Sequence, residues 1–120
     1  MTAKPLSVDV RHRAGVAYID LQGEINAFAE APLSAAHQEA AAYNPSAILL
    51  NFSAVDYINS TGIALIVGLL SEARRSNQRV LAYGLSAHYV EIFQITRLAD
   101  FMRIYPDEAR ALAGVAEVKP

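Results

Sequence analysis

Two adjacent hydroxyl side chains, Ser60 and Thr61, stand between Asn59 and Gly62, just before an almost wholly apolar run from Ile63 to Leu70. A serine so placed can be a nucleophile, a helix cap, or an acceptor for a group transferred by another protein. A catalytic serine needs a neighbouring base to take its proton and a third group to hold that base. Asn59-Ser60-Thr61-Gly62 lacks the leading glycine of the Gly-x-Ser-x-Gly elbow, and His12, His37 and His88 read as surface or half-buried residues, so a small serine hydrolase is the weakest reading. The Gly-x-x-x-x-Gly-Lys-Ser/Thr loop that cradles nucleotide phosphates is also missing. The chain is therefore expected to be no enzyme and to carry no cofactor. As an acceptor, Ser60 would enter the active site of a kinase that itself supplies the base, the ATP and the magnesium. The phosphate would then sit at a helix N-terminus, where backbone N–H groups tolerate its charge. By residue type alone a plain cap is the better reading of Ser60. The second hydroxyl at Thr61, which capping does not need, and an open approach past Gly62 weigh towards an acceptor.

Composition narrows the choice of partner. At 120 residues the chain has the length of one domain, taken as 1–120, with one core. It has no cysteine, hence no disulfide framework and no thiolate metal site, and no metal site is expected. Its formal charge of −2 lacks the basic excess of a nucleic-acid binder. No apolar run approaches the ~20 residues of a spanning helix, and the start has no signal-peptide core, so a cytoplasmic protein away from the membrane is expected. Asn51-Phe52-Ser53 and Asn59-Ser60-Thr61 fit the glycosylation acceptor pattern, which is accidental in that compartment.

The elements that must position Ser60 follow from periodicity. Leu6, Val8 and Val10 alternate with polar residues, and after Arg13-Ala14-Gly15 so do Ala17, Ile19 and Leu21, which predicts a β-hairpin ended by Gly23. Pro32 suits the first turn of a helix whose inward face carries Leu33, Ala36, Ala40 and Tyr43. Ala47-Ile48-Leu49-Leu50 is a continuous apolar run of the kind buried on both faces of a parallel sheet. A loop over Ser53–Gly62 then leads into a helix with Ile63, Ile66, Val67 and Leu70 inward. Asp56 either shapes that loop through turn hydrogen bonds or is an ordinary turn residue. Arg74 and Arg75 suit the helix's negative end. Val80-Leu81-Ala82-Tyr83 predicts a strand, Ser86 caps a short helix through Ile95, Phe101–Tyr105 predicts a last strand, and Pro106-Asp107-Glu108 opens a helix with Ala109, Leu112 and Ala113 inward. The sum is β-β-α-β-α-β-α-β-α: an α/β domain with a mixed, mostly parallel sheet of about five strands, an N-terminal hairpin and about four helices. Function in such sheets gathers beyond the carboxyl ends of the strands, where Gly23–Asn26 and Ser53–Gly62 would be neighbours. The central helix carries more apolar surface than one stripe needs, with Ala64, Leu65, Gly68 and Leu69 left over. It is either buried nearly all round or meets a partner on its outer face. Pattern alone does not choose.

Asn59-Ser60-Thr61-Gly62-Ile63 after an apolar strand, with Gly23-Glu24-Ile25-Asn26 after the second strand, resembles the STAS domain family, and within it the stand-alone anti-sigma factor antagonists of bacteria. The family patterns are Asp-Ser-Ser/Thr-Gly-Leu/Ile and Gly-Glu-Leu-Asp, so both family aspartates are asparagine in this chain. The likeness extends over essentially the whole sequence. It implies a phospho-switch: the unmodified protein binds a serine-kinase anti-sigma factor of the histidine-kinase-like ATPase class and frees the sigma factor, and phosphorylation at Ser60, or alternatively Thr61, ends the binding until a phosphoserine phosphatase reverses it. It also favours a partner on the outer helix face, with Asn26, Asn59, Thr61, Gly62, Ala64, Leu65 and Gly68 as the contact residues. A STAS scaffold or subunit of a stress-signalling or transport assembly, without phosphorylation, is the alternative.

Overall fold

Ala14 and Gly15 both take positive φ, 53° and 81°, the two-residue combination whose twist matches that of flanking antiparallel strands. They close a hairpin between β1 (Ser7–Arg13) and β2 (Val16–Ile25). In this computed structural model, which describes residues 5–117, β2 continues the sheet in parallel with β3 (Ala47–Ile58), then β4 (Val80–Tyr83) and β5 (Arg103–Tyr105), in the spatial order β1-β2-β3-β4-β5. The crossovers carry α1 (Glu30–Ala41), α2 (Ser60–Arg75) and α3 (Ala87–Ile95), and α4 (Glu108–Ala116) follows the last strand. The α/β architecture, the antiparallel edge hairpin, the five strands and the four helices are as the sequence predicts.

Both faces of the sheet are covered around the first half of β3, which is why Ala47–Leu50 is apolar without a break. Ile48, Leu50 and Phe52 join the main core with Leu33 and Ala36 of α1, Ile66, Leu69 and Leu70 of α2, and Phe93 of α3. Ala47 and Leu49 alternate to the other face and pack with Tyr18, Leu81 and Tyr83 against Ala111 of α4. Among the described residues no helix is long and apolar enough to cross a membrane.

Several expected details differ, each for a local reason. Ser53–Ile58 is strand, not loop: β4 pairs with β3 only over Ile48–Asn51, so beyond that point β3 has β2 as its single partner and polar residues such as Ser53 and Asp56 are exposed. Gly23 does not end β2; at φ 104° it lies at a register shift in the β2/β3 pairing, as bulge glycines do. Tyr43 lies beyond the end of α1 and stacks on His12 at 4.4 Å instead of entering the core. In α4, Ala109, Leu112 and Ala113 are exposed, and Ala111 and Gly114 face inward, because the Tyr105 ring occupies the space where a side chain at 114 would go. A single 3-10 turn at Leu98–Asp100 precedes β5, which starts two residues later than expected.

Across the open part of the α4-side face, Arg11 of β1 grips Asp20 of β2 through Nε and Nη2 (2.5 and 3.0 Å), and Asn51 of β3 donates to the same carboxylate at 2.9 Å. Burial works against the charged form of Asp20, but these hydrogen bonds outweigh it and hold its carboxyl below the ordinary value. As pH falls the unfolded chain takes up this proton first, so the stabilisation is present above the ordinary carboxylate value and is lost as pH falls through the lowered one. Asp20→Asn should therefore cost about 1 kcal/mol at neutral pH, the pair being partly exposed, and flatten the acid limb of the stability profile. Urea titrations of both proteins from pH 7 to pH 2 check this; parallel acid limbs would exclude Asp20 as a source of the acid sensitivity.

Candidate functional site

The parallel strands β2 and β3 end side by side, Ile25 paired with Ile58, and the Asn59 amide donates to the Ile25 carbonyl at 3.2 Å. Asn26 and Asn59 thus become neighbours, as the topology predicts. Each opens a helical segment in the same way. The Asn26 side-chain oxygen accepts from Phe28 N at 2.9 Å and caps a 3-10 turn over Ala27–Ala29; the Asn59 oxygen accepts from Gly62 N at 2.8 Å and caps α2. The Asn59 carbonyl takes the Ile63 N–H at 2.9 Å. From the side, buried Tyr89 of α3 accepts from Ile58 N at 2.9 Å and donates to Ile58 O at 3.4 Å, pinning the end of β3.

Asn59 is therefore the cap, and Ser60 is not. Ser60 occupies the first helical position with its side chain exposed, Thr61 follows it, also exposed, and no hydrogen bond among the described residues engages either hydroxyl. With the amides of Gly62 and Ile63 satisfied, those of Ser60 and Thr61 are the two that an α-helix leaves for solvent or an anion. Among the described residues none of the three histidines pairs with Ser60: His37 bonds Gln78 at 3.0 Å, His12 stacks on Tyr43, and His88 lies edge-on to Tyr89.

Gly62 plays another part than the one expected. It is buried, and a Cβ there would overlap the carbonyl oxygen of Ile25, so the glycine lets the first turn of α2 dock on the end of β2. The inward stripe of α2 is also shifted: Ile66, Leu69, Leu70 and Ala73 are buried, while Val67 is 45% exposed and Ile63 half-buried. Ala64 and Gly68 lie on the outer side and Leu65 is half-buried; a Cβ at 68 would meet nothing within 4 Å. The helix is therefore not buried nearly all round. Between α1 and α2 runs a groove of about 230 Å³ lined by Ser34, His37, Ala64, Leu65, Gly68 and Glu72 among others.

Two residues of the site escaped sequence reading. Phe28, in the turn that Asn26 caps and that packs beside α2, is 88% exposed; the signal was an aromatic two residues past a cap, where helix-starting residues are usually polar. Tyr89 reads in sequence as one more core aromatic, and nothing local reveals the strand end that it holds.

The STAS domain model matches residues 7–111. The chain belongs to the STAS domain family. This STAS domain is 26% identical over 101 residues to the anti-sigma-B factor antagonist of Listeria monocytogenes, covering 82% of this chain and 88% of that protein. Among solved structures it resembles an anti-sigma factor antagonist from Mycobacterium paratuberculosis, with a TM-score of 0.76 and 23% identity over 94% of this chain and 96% of the other. It also resembles the Bacillus cell fate determinant SpoIIAA in its phosphorylated form, with a TM-score of 0.67 and 22% identity over 91% and 99% of the two chains. The two solved structures share the fold of this STAS domain.

Substituting the two glycines of α2 should separate their roles. Gly62→Ala forces the Ile25 carbonyl aside and should destabilise the domain by about 1–3 kcal/mol. Gly68→Ala, in open space, should be neutral or add up to about 1 kcal/mol through helix propensity. Chemical denaturation measures both, and a harmless Gly62→Ala would dissolve the proposed docking of α2 on β2.

Proposed function

We propose that this STAS domain is an anti-sigma factor antagonist whose binding to a serine-kinase anti-sigma factor, of the histidine-kinase-like ATPase class, is ended by phosphorylation of Ser60. It acts by binding, not by catalysis. The observation that carries the reading is the exposed Ser60 hydroxyl on the first turn of α2, released from capping by Asn59. The Listeria relative bears the name of an anti-sigma-B factor antagonist, and a protein of the same fold has been solved phosphorylated.

Phosphate adds about −1.5 to −2 charges at neutral pH. At this position the uncommitted amides of Ser60 and Thr61 and the positive end of a sixteen-residue helix receive it, so the fold persists while the surface changes sign locally. Partner contact on Ser60, Thr61, Phe28, Ala64, Leu65 and Gly68 would then bring an uncompensated dianion into a packed interface, and binding ends. A phosphoserine phosphatase restores the binding form. Asn26 and Asn59 fit this scheme: as caps asparagine and aspartate are interchangeable, so the turns keep their shape, while two carboxylates that would repel the incoming phosphate are replaced by amides that can donate to it.

Intact mass after incubation with the cognate kinase and ATP should show one phosphate on the parent and none on Ser60→Ala. Calorimetry should show Ser60→Asp folded, with a thermal midpoint at or slightly above the parent's, and bound to the partner more than a hundredfold more weakly, or ~3 kcal/mol. Phe28→Ala should weaken the partner by at least tenfold without loss of stability. A parent that stays unmodified while the Asn26→Asp, Asn59→Asp double variant is phosphorylated would make the natural protein a constitutive binder.

A further inference from the structure

A cavity lies away from the Ser60 turn, at the other end of α2. About 680 Å³ in volume, it opens between the C-terminal half of α2, the start of β4 and the segment from Thr96 to Arg103. That volume is in the range of small-molecule sites, roughly 300–1,000 Å³. Its floor is apolar: Leu70, Val80, Leu98 and Met102 line it and are buried. Its lip carries Val67 and Phe101, which are 45% and 59% exposed.

Four arginines line the same cavity: Arg74, Arg79, Arg97 and Arg103. Their charge is only partly balanced. Arg97 pairs with Asp100 at 2.6 Å and Arg103 with Glu117 at 3.3 Å. Arg79 spends two N–H groups on the carbonyls of Val115 and Gly114, at 3.1 and 3.0 Å, which cap the end of α4 but carry no charge. Arg74 lies over the Phe101 ring at 5.6 Å, and among the described residues no carboxylate pairs with either Arg74 or Arg79. In a chain with a formal charge of −2 this is a local cationic excess. Arg97 adds a second sign of construction. It follows the last turn of α3 at φ 69°, the left-handed position that glycine or asparagine usually fills, so an arginine sits there against the backbone's preference.

An apolar floor with a cationic rim fits one kind of ligand. We propose that this cavity binds a small amphiphilic anion, an acyl or alkyl chain ending in a carboxylate or phosphate, with the chain over Leu70, Val80 and Met102 and the headgroup between Arg74 and Arg97. Phe101 closes over the chain while its face holds the Arg74 guanidinium. The site is independent of phosphorylation at Ser60.

Octyl phosphate and octanoate serve as probes, with octanol and inorganic phosphate as controls, titrated into the full-length protein and followed by backbone amide shifts. Both anions should move the amides of residues 67–74, 79–81 and 96–103, and bind at least tenfold more tightly than either control. Arg74→Gln with Arg97→Gln should lose at least tenfold of the octyl phosphate affinity, and Phe101→Ser several-fold, with thermal midpoints near the parent's because all three side chains are exposed. Octanol binding as well as octyl phosphate, an unchanged affinity in the double arginine variant, or shifts confined to the α1/α2 groove would each overturn the proposal. So would retention on dioleoylphosphatidylglycerol vesicles with no binding of the free amphiphile, which would place the recognition at a membrane surface.

Discussion

The carbonyl oxygen of Ile25 occupies the space that a side chain at residue 62 would need, and much of the site depends on that contact. It lets α2 start against the end of β2 instead of above it. The same carbonyl accepts the Asn59 amide, so one backbone group sets both the position of the helix cap and the depth to which the first turn sinks. Because β2 and β3 end in register, the cap of the preceding turn, Asn26, comes level with Asn59. Tyr89 satisfies the Ile58 backbone from the other side. A buried strand end with unpaired N–H and C=O would be costly; here both are engaged, and Ser60 is displayed from a platform with little freedom to move.

Such a platform suits a switch that works by surface charge. A modification that needed to rearrange the helix would have to overcome the burial of Ile66, Leu69, Leu70 and Ala73, several kcal/mol of apolar burial. A charge placed on the exposed first residue meets no such barrier, because the amides that receive it already point outward. On the proposed function the change would be felt by the partner, for which a desolvated phosphate without a matching cation is expensive.

The fold was legible because its signals were dense and mutually consistent: alternation in the hairpin, an unbroken apolar run for the strand covered on both faces, caps at Ser86 and Asp107. The errors arose where a residue answers to a neighbour distant in sequence. Val67 and Leu69 both satisfy helical periodicity, and only the seating of α2 on the sheet turns Leu69 in and Val67 out. Ser53–Ile58 looks like a loop because half of its strand pairing is missing. Gly62 is a residue whose reason lies thirty-seven positions upstream, and Asn59, not Ser60, holds the cap because the chain leaves β3 with that residue still extended, at ψ −179°. Phe28 left only the faint signal of an aromatic just past a cap, and the arginine-lined cavity left none, since exposure and convergence are properties of the surface and not of a stretch of sequence.

The two ends of α2 therefore face different chemistry. Its N-terminus offers outward amides and an exposed hydroxyl; its C-terminal half carries Arg74 beside an apolar cavity. Sharing a helix does not by itself couple them. Coupling requires an element with two arrangements that the two ligands favour unequally, and α2 is anchored along its length by four buried side chains and at its start by Gly62. Occupancy of the cavity would then leave the affinity for an anti-sigma factor unchanged, and the two events would add independently. The segment from Thr96 to Phe101 is different: it is anchored by the buried Leu98, while Thr96, Arg97, Asp100 and Phe101 are all exposed. If any part of this domain moves when the cavity fills, that segment can do so without disturbing the contact between Gly62 and Ile25, and the Ser60 turn keeps its geometry.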